Sequence, residues 1–353
     1  MGKHPANKKN SHPTLGQVAR AAGVGTTTVS RVINGGDRVS PETLTKVRQV
    51  IEALGYRPNQ AARVLKGDRT RTIGLIVPSI ADPFFSSCAE AAQAVARANG
   101  SLLIVTSTQN ELHNEIENVN VLLSHRVDGL IIAAGNSRSR SLRDLLLGLR
   151  APVVAIDRPI SDSGISSVLT DNFQGARAAV QHLIEHGRKR IACLTGEGSL
   201  YTIQERIRGY RAAIESAGLT PVIDTSIHDF SAARNAIEKL MSSEHPPDAF
   251  FTLKNSTTAH SFEVLQQLHI RVPSSIALVG FDDFELASTV RPSITVVQQP
   301  VEAIGHSAAE LLFKQLFSGR GSTDGIAQRV ILKNQLIRRS SCGCAASLRP
   351  SGT

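Results

Sequence analysis

The sequence predicts an α/β protein in which a small helical N-terminal domain precedes a larger, two-lobed body built on two parallel sheets. Three apolar helical stripes lie within residues 14–57, and strands alternate with helices from residue 72 onward. Several of these strands are apolar throughout, as parallel strands covered on both faces require. A chain of 353 residues with 41% hydrophobic content can bury more than one core.

The first two predicted helices are short and closely spaced. Thr14 with Gln17 three residues later forms a capping-box pattern, and Gly23 ends the first helix after little more than two turns. A Gly-Val-Gly corner leads into a second helix from Thr26 to about Asn34, whose apolar residues recur at i, i+3 and i+4. So brief a connection predicts helix-turn-helix geometry.

A third helix completes the N-terminal domain. Ser40-Pro41-Glu42 supplies an N-cap, a proline at the first helical position and an acid in the first turn. An apolar stripe follows, and Gly55 ends the helix. The three stripes together predict one small core.

These motifs resemble a known family. T-T-V-S-R-V-I-N, V-S-P-E-T, L-G-Y-R-P-N and A-R-x-L resemble, in this order, the lactose/galactose-repressor family of bacterial helix-turn-helix transcriptional regulators. Further on, I-G-L-I-V-P, V-D-G-L-I-I, T-D-N-x-x-G and V-G-F-D-D resemble the effector domain of that family. The resemblance covers nearly the whole chain. It implies a periplasmic-binding-protein-like (type I) effector domain with two lobes.

The resemblance implies that the second helix lies in the major groove of DNA. The residues that it assigns to DNA contacts in the N-terminal domain are Thr14, Thr26, Thr27, Thr28, Ser30, Arg31 and Asn34. Arg31 would fork onto a guanine, which gives about 1–3 kcal/mol of discrimination. Without this context, a lone arginine on a helix is usually solvated.

The segment from residue 58 resembles the hinge helix of the family. The resemblance assigns DNA contacts there to Asn59, Arg63, Leu65 and Lys66, with Leu65 as a wedge in a minor-groove step. Taken alone, the segment is a helical turn before a linker. Two glycines depart from the family pattern. Gly16 costs about 0.5–1 kcal/mol of helix stability. Gly25 replaces a serine cap, at a cost of about a few tenths of a kcal/mol.

The positive charge is concentrated in the same part of the chain. Residues 1–71 hold thirteen Lys or Arg against four Asp or Glu, whereas the rest holds 26 of each, so the whole net charge of +9 lies there. An excess of this kind is the electrostatic footprint of a phosphate-binding domain. For the lysines nearest the N-terminus, improved solubility alone is the other interpretation.

Membrane, export and metal signals are weak. The sequence has no apolar run of about 20 residues and no apolar stretch after its basic start. Cys88 and Cys193 fall in a predicted helix and a predicted buried strand, which suits a reducing compartment. Cys342-Gly-Cys344 has no nearby His or further Cys, so we predict no metal site. We expect a cytoplasmic protein.

The body shows alternating strands and helices. Its predicted strands are 72–77, 101–106, 128–133, 152–156, 190–195, 248–253 and 275–280, with a last one at 328–338; its predicted helices are 84–99, 111–125, 172–186, 204–217, 232–243 and 257–268. Open α/β sheets bind ligands beyond the carboxyl ends of their strands. On that basis and by resemblance, the candidate effector-binding residues are Phe84, Phe85, Asp157, Arg206, Phe251, Asn255 and Asp282.

Each of these candidates also has a structural interpretation. A carboxylate at a strand end is often a helix cap or a surface charge, and a phenylalanine there is more often part of the core. Asn255 stands where many members of the family carry Asp, which leaves the nature of the effector open.

We predict the following domains: a disordered arm at 1–13, the DNA-binding domain at 14–57, a hinge helix and linker at 58–71, the effector domain at 72–340 and a tail at 341–353. The first lobe comprises about 72–167 and 298–327, and the second about 168–297 and 328–340. The tail lacks a leucine heptad, so we expect a homodimer.

The predicted function is that of a sequence-specific transcriptional regulator, most simply a repressor. Its partners would be a near-palindromic operator in double-stranded DNA and a small effector, by resemblance a sugar or sugar derivative, with no membrane and no cofactor. Two alternatives remain: a corepressor-dependent regulator that responds to a purine or a phosphorylated metabolite, and a sugar-binding receptor without a gene-regulatory role. Because G-x-S-x-G, H-E-x-x-H and G-x-x-x-x-G-K-[ST] are missing, we do not expect an enzyme.

Overall fold

The computed structural model describes residues 13–33, 35, 38–57, 69–161, 164–318 and 327–344. The chain divides into two compact units, a head of residues 1–70 and a body of residues 71–353. Among the helices in these ranges, none combines the length and the apolar character needed to cross a membrane.

The head contains the three short helices that the sequence predicts. They are α1 (Leu15–Ala22), α2 (Thr26–Ile33) and α3 (Pro41–Leu54). Thr14 N–H donates to Gln17 Oε1 at 2.6 Å in the capping box that starts α1. Gly23 ends α1 in the left-handed region at φ +65°, which glycine adopts at little cost.

One small core holds the head together. Its buried residues are Val18, Ala19, Ala22, Val29, Val32 and Val47, which come from all three helices. Each helix therefore buries one face and leaves the other exposed.

The body alternates strands and helices. In chain order its elements are β1 (Thr72–Val77), α4 (Pro83–Ala98), β2 (Leu102–Ser107), α5 (Leu112–Ser124), β3 (Gly129–Ile132), α6 (Arg140–Leu147), β4 (Val153–Ile156), β5 (Ser166–Thr170), α7 (Asn172–Glu185), β6 (Ile191–Leu194), α8 (Tyr201–Ser216), β7 (Val222–Asp224), α9 (Phe230–Met241), β8 (Ala249–Thr252), α10 (Asn255–Gln267), β9 (Ala277–Phe281), a 3₁₀ turn (Glu285–Ser288), β10 (Thr295–Gln298), α11 (Val301–Phe317), β11 (Arg329–Leu332) and β12 (Gln335–Ile337).

The strands form two sheets with the same order. The first sheet runs β11-β5-β4-β3-β1-β2 and the second runs β12-β10-β9-β8-β6-β7. Every pairing is parallel except that of β10 with β12. The predicted two-lobed α/β fold is therefore confirmed. In both sheets the order reverses next to the first strand of the lobe, where open α/β sheets bind ligands.

The last predicted strand is wrong in detail. The sequence predicted one strand over 328–338, but the structure has β11 in the first sheet and β12 in the second. Lys333 and Asn334 break the strand because the chain passes between the lobes there, and Asn334 Nδ2 donates to Asp171 O at 3.0 Å. The short strands β5, β7 and β10 were not predicted.

The chain passes between the two sheets three times, after β5, after β10 and between β11 and β12. These three segments lie side by side. Thr170 Oγ1 in the first donates to Gln299 Oε1 in the second, and Asn334 in the third bonds to the backbone of the first. Hydrogen bonds thus hold the hinge between the lobes together.

Candidate functional site

The head presents a polar face on α2. Thr26, Thr27 and Arg31 are exposed, and Thr28 and Ser30 are half-buried. Val29 and Val32 lie on the opposite face, in the core. Because Thr27 and Arg31 are four residues apart, their side chains lie on the same side of the helix. Packing thus orients α2 with its polar residues toward solvent.

Two helix starts add to this polar surface. The Gly25 carbonyl accepts hydrogen bonds from Thr28 N and Val29 N, so α2 begins directly after this glycine. Thr14, at the start of α1, is exposed. Backbone amides at the start of a helix favour phosphate oxygens.

The charge on the described surface of the head is positive. Its exposed cations are Arg20, Arg31, Arg38, Lys46, Arg48 and Arg57, against the exposed acids Glu42 and Glu52. No ion pair within residues 13–33 and 38–57 neutralises Arg31. The proposed DNA contacts Asn34, Asn59, Arg63, Leu65 and Lys66 lie outside the described residues.

The body contains a cavity of about 270 Å³ between its lobes. Its lining residues follow strands of both sheets: Pro78, Ser79, Asp82, Phe84, Phe85, Gln109, Asn110, Asp157, Arg158, Glu197, Leu200, Thr202, Ile203, Arg206, Lys254, Asp282 and Gln299. The carboxyl ends of parallel strands meet here, as the sequence analysis expected of a ligand site.

The first lobe contributes a buried ion pair. Arg158 Nε donates to Asp157 Oδ2 at 3.1 Å, and Arg158 Nη1 donates to Asn110 Oδ1 at 2.6 Å and to the Ala134 carbonyl at 3.2 Å. Burial raises the pKa of Asp157, although the Arg158 and Arg206 guanidinium groups oppose this shift. The carboxylate thus pays a desolvation cost that its partners only partly offset.

The second lobe contributes another buried pair. Arg206, on α8, donates from Nη1 to Asp282 Oδ2 at 3.0 Å and to the Leu253 carbonyl at 2.6 Å, and from Nε to Asn172 Oδ1 at 2.7 Å. Its guanidinium lies 3.7 Å from the centre of the Phe281 ring, a cation–π contact. These contacts hold the guanidinium in one position.

Gln299 connects the second-lobe wall to the hinge. Its Nε2 donates to Asp282 Oδ1 at 2.6 Å, while its Oε1 accepts from Thr170 Oγ1. The side chain is 5% exposed, so both bonds are shielded from water. One amide therefore touches both a cavity carboxylate and the segment that joins the lobes.

The backbone around the cavity is strained. Eight described residues other than glycine have positive φ, and four of these, Gln109, Asn110, Asp157 and Asp282, line the cavity. Such conformations cost about 1–3 kcal/mol each and concentrate at functional sites. Half of the described left-handed residues thus lie at the cavity, and three of these four are Asn or Asp, which tolerate this conformation best.

The predicted effector residues do not all line this cavity. Phe84, Phe85, Asp157, Arg206 and Asp282 do, with Phe84 and Phe85 packed edge to face at 4.9 Å. Asn255 lies nearby, and its Nδ2 donates to Asp82 Oδ1 across the lobes at 3.4 Å.

Phe251, which the sequence predicted as an effector contact, does not line the cavity. It belongs to β8 and is fully buried in the core of the second lobe, so it does not reach the cavity. Every residue of β8 is buried, and the strand therefore gives no alternation from which its orientation could be predicted.

Some lining residues were not among the predicted contacts, notably Asn110, Lys254 and Gln299. Gln299 is preceded by β10, which was not predicted as a strand, so its place at a strand end had no sequence signal. Asn110 follows β2, and its amide position depends on a left-handed backbone at φ +61°.

Two family models match the chain. Residues 14–59 match bacterial regulatory proteins of the lacI family, and residues 70–335 match the periplasmic binding proteins and sugar binding domain of the LacI family.

Individual relatives are similar over most of their length. The ribose operon repressor of Escherichia coli (strain K12) is 33% identical over 86% of this chain and 93% of its own. The HTH-type transcriptional repressor PurR of Aliivibrio salmonicida (strain LFI1238) is 32% identical over 86% and 92%. The solved structure of a transcriptional regulator CelR-cellobiose complex superposes with a TM-score of 0.68 at 31% identity, over 93% of this chain and 99% of that one.

Proposed function

Because the chain belongs to the lacI family of bacterial regulatory proteins, we propose that it is a repressor whose operator binding is controlled by a small neutral carbohydrate held between its lobes. The observation that carries the ligand class is a pair of buried Asp–Arg ion pairs, one in each lobe, that line a single cavity.

The family membership gives the broader function directly. The chain is a DNA-binding transcriptional regulator, and the predictions of this function and of a non-enzymatic protein are confirmed by the repressors to which it is similar.

The cavity suits a small polyhydroxyl compound. Its volume of about 270 Å³ lies just below the range of about 300–1,000 Å³ that is usual for small-molecule sites, so a small ligand is expected. Carboxylates accept hydrogen bonds from hydroxyl groups, and guanidinium groups donate to them, so Asp–Arg pairs bind vicinal hydroxyls from two sides. Phe84 and Phe85 offer an apolar wall for the face of a sugar ring.

A phosphorylated ligand fits this cavity less well. Arg158 and Arg206 are each already paired with a carboxylate, and the third cation of the lining, Lys254, has its Nζ 3.7 Å from Glu197 Oε2. Asp82 adds a fourth acid to the lining. An anion would have to displace these carboxylates or lie against them. The relatives nevertheless include the transcriptional repressor PurR as well as a ribose operon repressor, and the sequence left a purine effector open, so purines belong in the experiment.

Calorimetric titration tests the ligand class. The purified chain would be titrated with neutral mono- and disaccharides, sugar phosphates and purines. We expect binding of a neutral sugar that Asp282→Asn weakens at least tenfold, because the amide replaces an acceptor oxygen with a donor. Asp144→Asn, an exposed change outside the cavity, is the matched control. Binding of phosphorylated compounds or purines alone would contradict the proposal.

In the head, we infer that Thr26, Thr27 and Arg31 contact base edges, with Thr14, Thr28 and Ser30 supporting or contacting phosphate. The support is their position on the solvent side of α2 and the positive surface around it. Selection from randomised duplexes, followed by gel shifts, should give a dyad-symmetric site. Arg31→Ala should cost about 1–3 kcal/mol of specific binding. Arg140→Ala, the same charge change on the body, should leave binding unaltered.

We also infer a homodimer in the cytoplasm, where the operator is found. The support is the family resemblance, because a helix-turn-helix protein that reads a near-palindromic operator does so with the two-fold symmetry of a dimer. Light scattering that returns only the 37.8 kDa mass of one chain would contradict the dimer.

A further inference from the structure

The described C-terminal residues are fixed to the second lobe. Ser341 Oγ accepts from Thr295 N at 2.8 Å and donates to the Leu278 carbonyl at 2.6 Å. Cys342 is fully buried, and its Sγ accepts from Thr295 Oγ1 at 3.1 Å. The Cys-Gly-Cys sequence is therefore held in place on the second sheet.

Gly343 determines how the two thiols are arranged. Its φ of +99° is a conformation that other residues rarely adopt, and it turns the chain between Cys342 and Cys344. The buried Cys342 and the partly buried Cys344 consequently lie close together at the end of α7.

Two histidines at the C-terminal end of α7 lie against these thiols, His182 in its last turn and His186 as the residue that caps it. His182 and His186 are separated by one helical turn and share a face, with ring centres 4.3 Å apart. Cys344 Sγ lies 3.4 Å from His182 Nε2 and 3.2 Å from His186 Nε2. The ligand atoms of His182, Cys342 and Cys344 all lie within 4.8 Å of one another.

The two distances from Cys344 to the histidines are close to the edges of a tetrahedral metal site. With metal–sulfur bonds of about 2.3 Å and metal–nitrogen bonds of about 2.0–2.1 Å, a sulfur and a nitrogen ligand lie roughly 3.6 Å apart, and the full set of ligand pairs spans roughly 3.3–3.8 Å. In addition, the His186 ring faces the His182 carbonyl with Nδ1 at 2.9 Å. A bond from Nδ1–H to this carbonyl leaves Nε2 with its lone pair toward Cys344, as is typical of metal-bound histidine.

The two thiols are in different environments. Burial raises the pKa of Cys342, but hydrogen bonds from His182, Thr295 and Cys344 outweigh it and bring the pKa to about 6. Cys344 has a pKa raised to about 11 by burial and by its neighbour Cys342.

We propose that His182, His186, Cys342 and Cys344 form a binding site for Zn²⁺ or a similar thiol-binding divalent cation. The donor set of two imidazole nitrogens and two sulfurs is that of structural zinc sites, and all four positions are filled by protein. A bound ion would link the C-terminal segment to α7, the helix that follows the first passage between the lobes. It would therefore stabilise the second lobe and the end of the chain.

Cobalt titration of the full-length, reduced and metal-free protein tests this site. We expect one Co²⁺ per chain, with the near-ultraviolet thiolate-to-cobalt absorption and the visible bands of tetrahedral coordination, both lost on addition of Zn²⁺. Thermal unfolding of the body should shift upward with Zn²⁺ and return with a chelator.

Single substitutions test which side chains bind the ion. Cys344→Ser and His186→Ala change side chains that are not fully buried, so both should fold, and each should weaken Co²⁺ binding at least tenfold. His113→Ala and the double variant His4→Ala/His12→Ala should bind as the natural chain does.

Several outcomes would overturn the proposal. The first is that the wild-type protein takes up no cobalt. The second is that the Cys344→Ser protein binds cobalt as strongly as the wild type. The third is that the His4→Ala/His12→Ala protein loses binding. Recovery of the two thiols only as a Cys342–Cys344 disulfide, with no cobalt uptake after reduction, would replace it with a redox role.

Discussion

The two lobes place the same carboxylate at the same point of their folds but pair it with arginines of different origin. Asp157 follows β4 and Asp282 follows β9, which occupy equivalent places in the two sheets. Both residues have left-handed φ, +64° and +71°. Both donate their N–H to the next strand, Asp157 to the Val168 carbonyl at 3.1 Å and Asp282 to the Val297 carbonyl at 2.9 Å.

The two arginines come from different elements of the fold. Arg158 is the neighbour of its carboxylate in the chain, whereas Arg206 reaches Asp282 from α8, across 76 positions of sequence. The fold therefore determines where the carboxylate lies, and each lobe then supplies its positive charge from a different element. The second-lobe pair depends on correct packing of α8, and the first-lobe pair does not.

The lobes also share a close approach of two helices. In the first lobe a Cβ added to Gly305 on α11 would collide with the Cys88 carbonyl of α4, and in the second a Cβ added to Gly209 on α8 would collide with the Phe173 carbonyl of α7. In both cases the obstacle is backbone, which cannot rotate away.

Of the changes that compare the two ion pairs, Arg206→Ala should cause the largest loss of stability. It removes a partner that is 4% exposed and leaves Asp282 without its cation, while three hydrogen bonds and the contact with Phe281 are lost. We expect a loss of about 3–5 kcal/mol in the free energy of unfolding. Urea denaturation of the body measures it, with Arg208→Ala, an exposed arginine of the same helix, as the control.

Arg158→Ala should cost less, about 1–3 kcal/mol, because the buried Asp157 already has a raised pKa and can take up a proton when its cation is removed. What remains is an imperfectly satisfied neutral group rather than a buried charge. A loss equal to that of Arg206→Ala would show that the two pairs are energetically equivalent, contrary to this comparison.

Gly305→Ala and Gly209→Ala sharpen the comparison between the helix pairs. Each should destabilise its lobe by about 1–3 kcal/mol, because two helices must separate to admit one methyl group. Gly16→Ala in the head, where no atom lies within 4 Å of the added Cβ, should instead raise the stability of α1. Thermal unfolding followed by circular dichroism would show which substitutions lower stability and which raise it. An unchanged stability of the Gly305→Ala protein would contradict the close approach of the two helices.

The smallest expected effect is a change in pH dependence. The folded-state pKa of Asp157 is raised above its ordinary value of 3.8, so the folded protein binds more protons just above that pH than the unfolded chain. Its contribution to stability therefore falls as pH rises through this window and is constant below it. Asp157→Asn should remove this slope. Denaturation of both proteins at a series of pH values would reveal identical slopes if the shift were absent.

The sequence predicted the lining of the cavity best where the fold alone determines it. Asp157 and Asp282 were predicted because parallel strands end at a common edge, Arg206 was predicted through the family pattern, and all three line the cavity. That they bind the effector stays a prediction. Phe251 was misassigned because a strand buried on both faces has no alternation. Gln299 was missed with its strand β10.

The cysteines and histidines near the carboxyl terminus show a different limit of prediction from sequence. Cys342 and Cys344 have no histidine near them in the sequence, since His182 and His186 lie about 160 positions earlier. No spacing rule connects residues so distant. Only the packing of α7 against the end of the chain brings the four side chains together.

The three passages between the lobes have a consequence for synthesis on the ribosome. The first lobe receives α11 and β11 only from the last part of the chain, so its sheet stays unfinished while nearly all of the second lobe is being translated. Proteins whose domains are contiguous can complete each one as it emerges. Here neither lobe can close early, and both become complete within the same few residues near the carboxyl terminus.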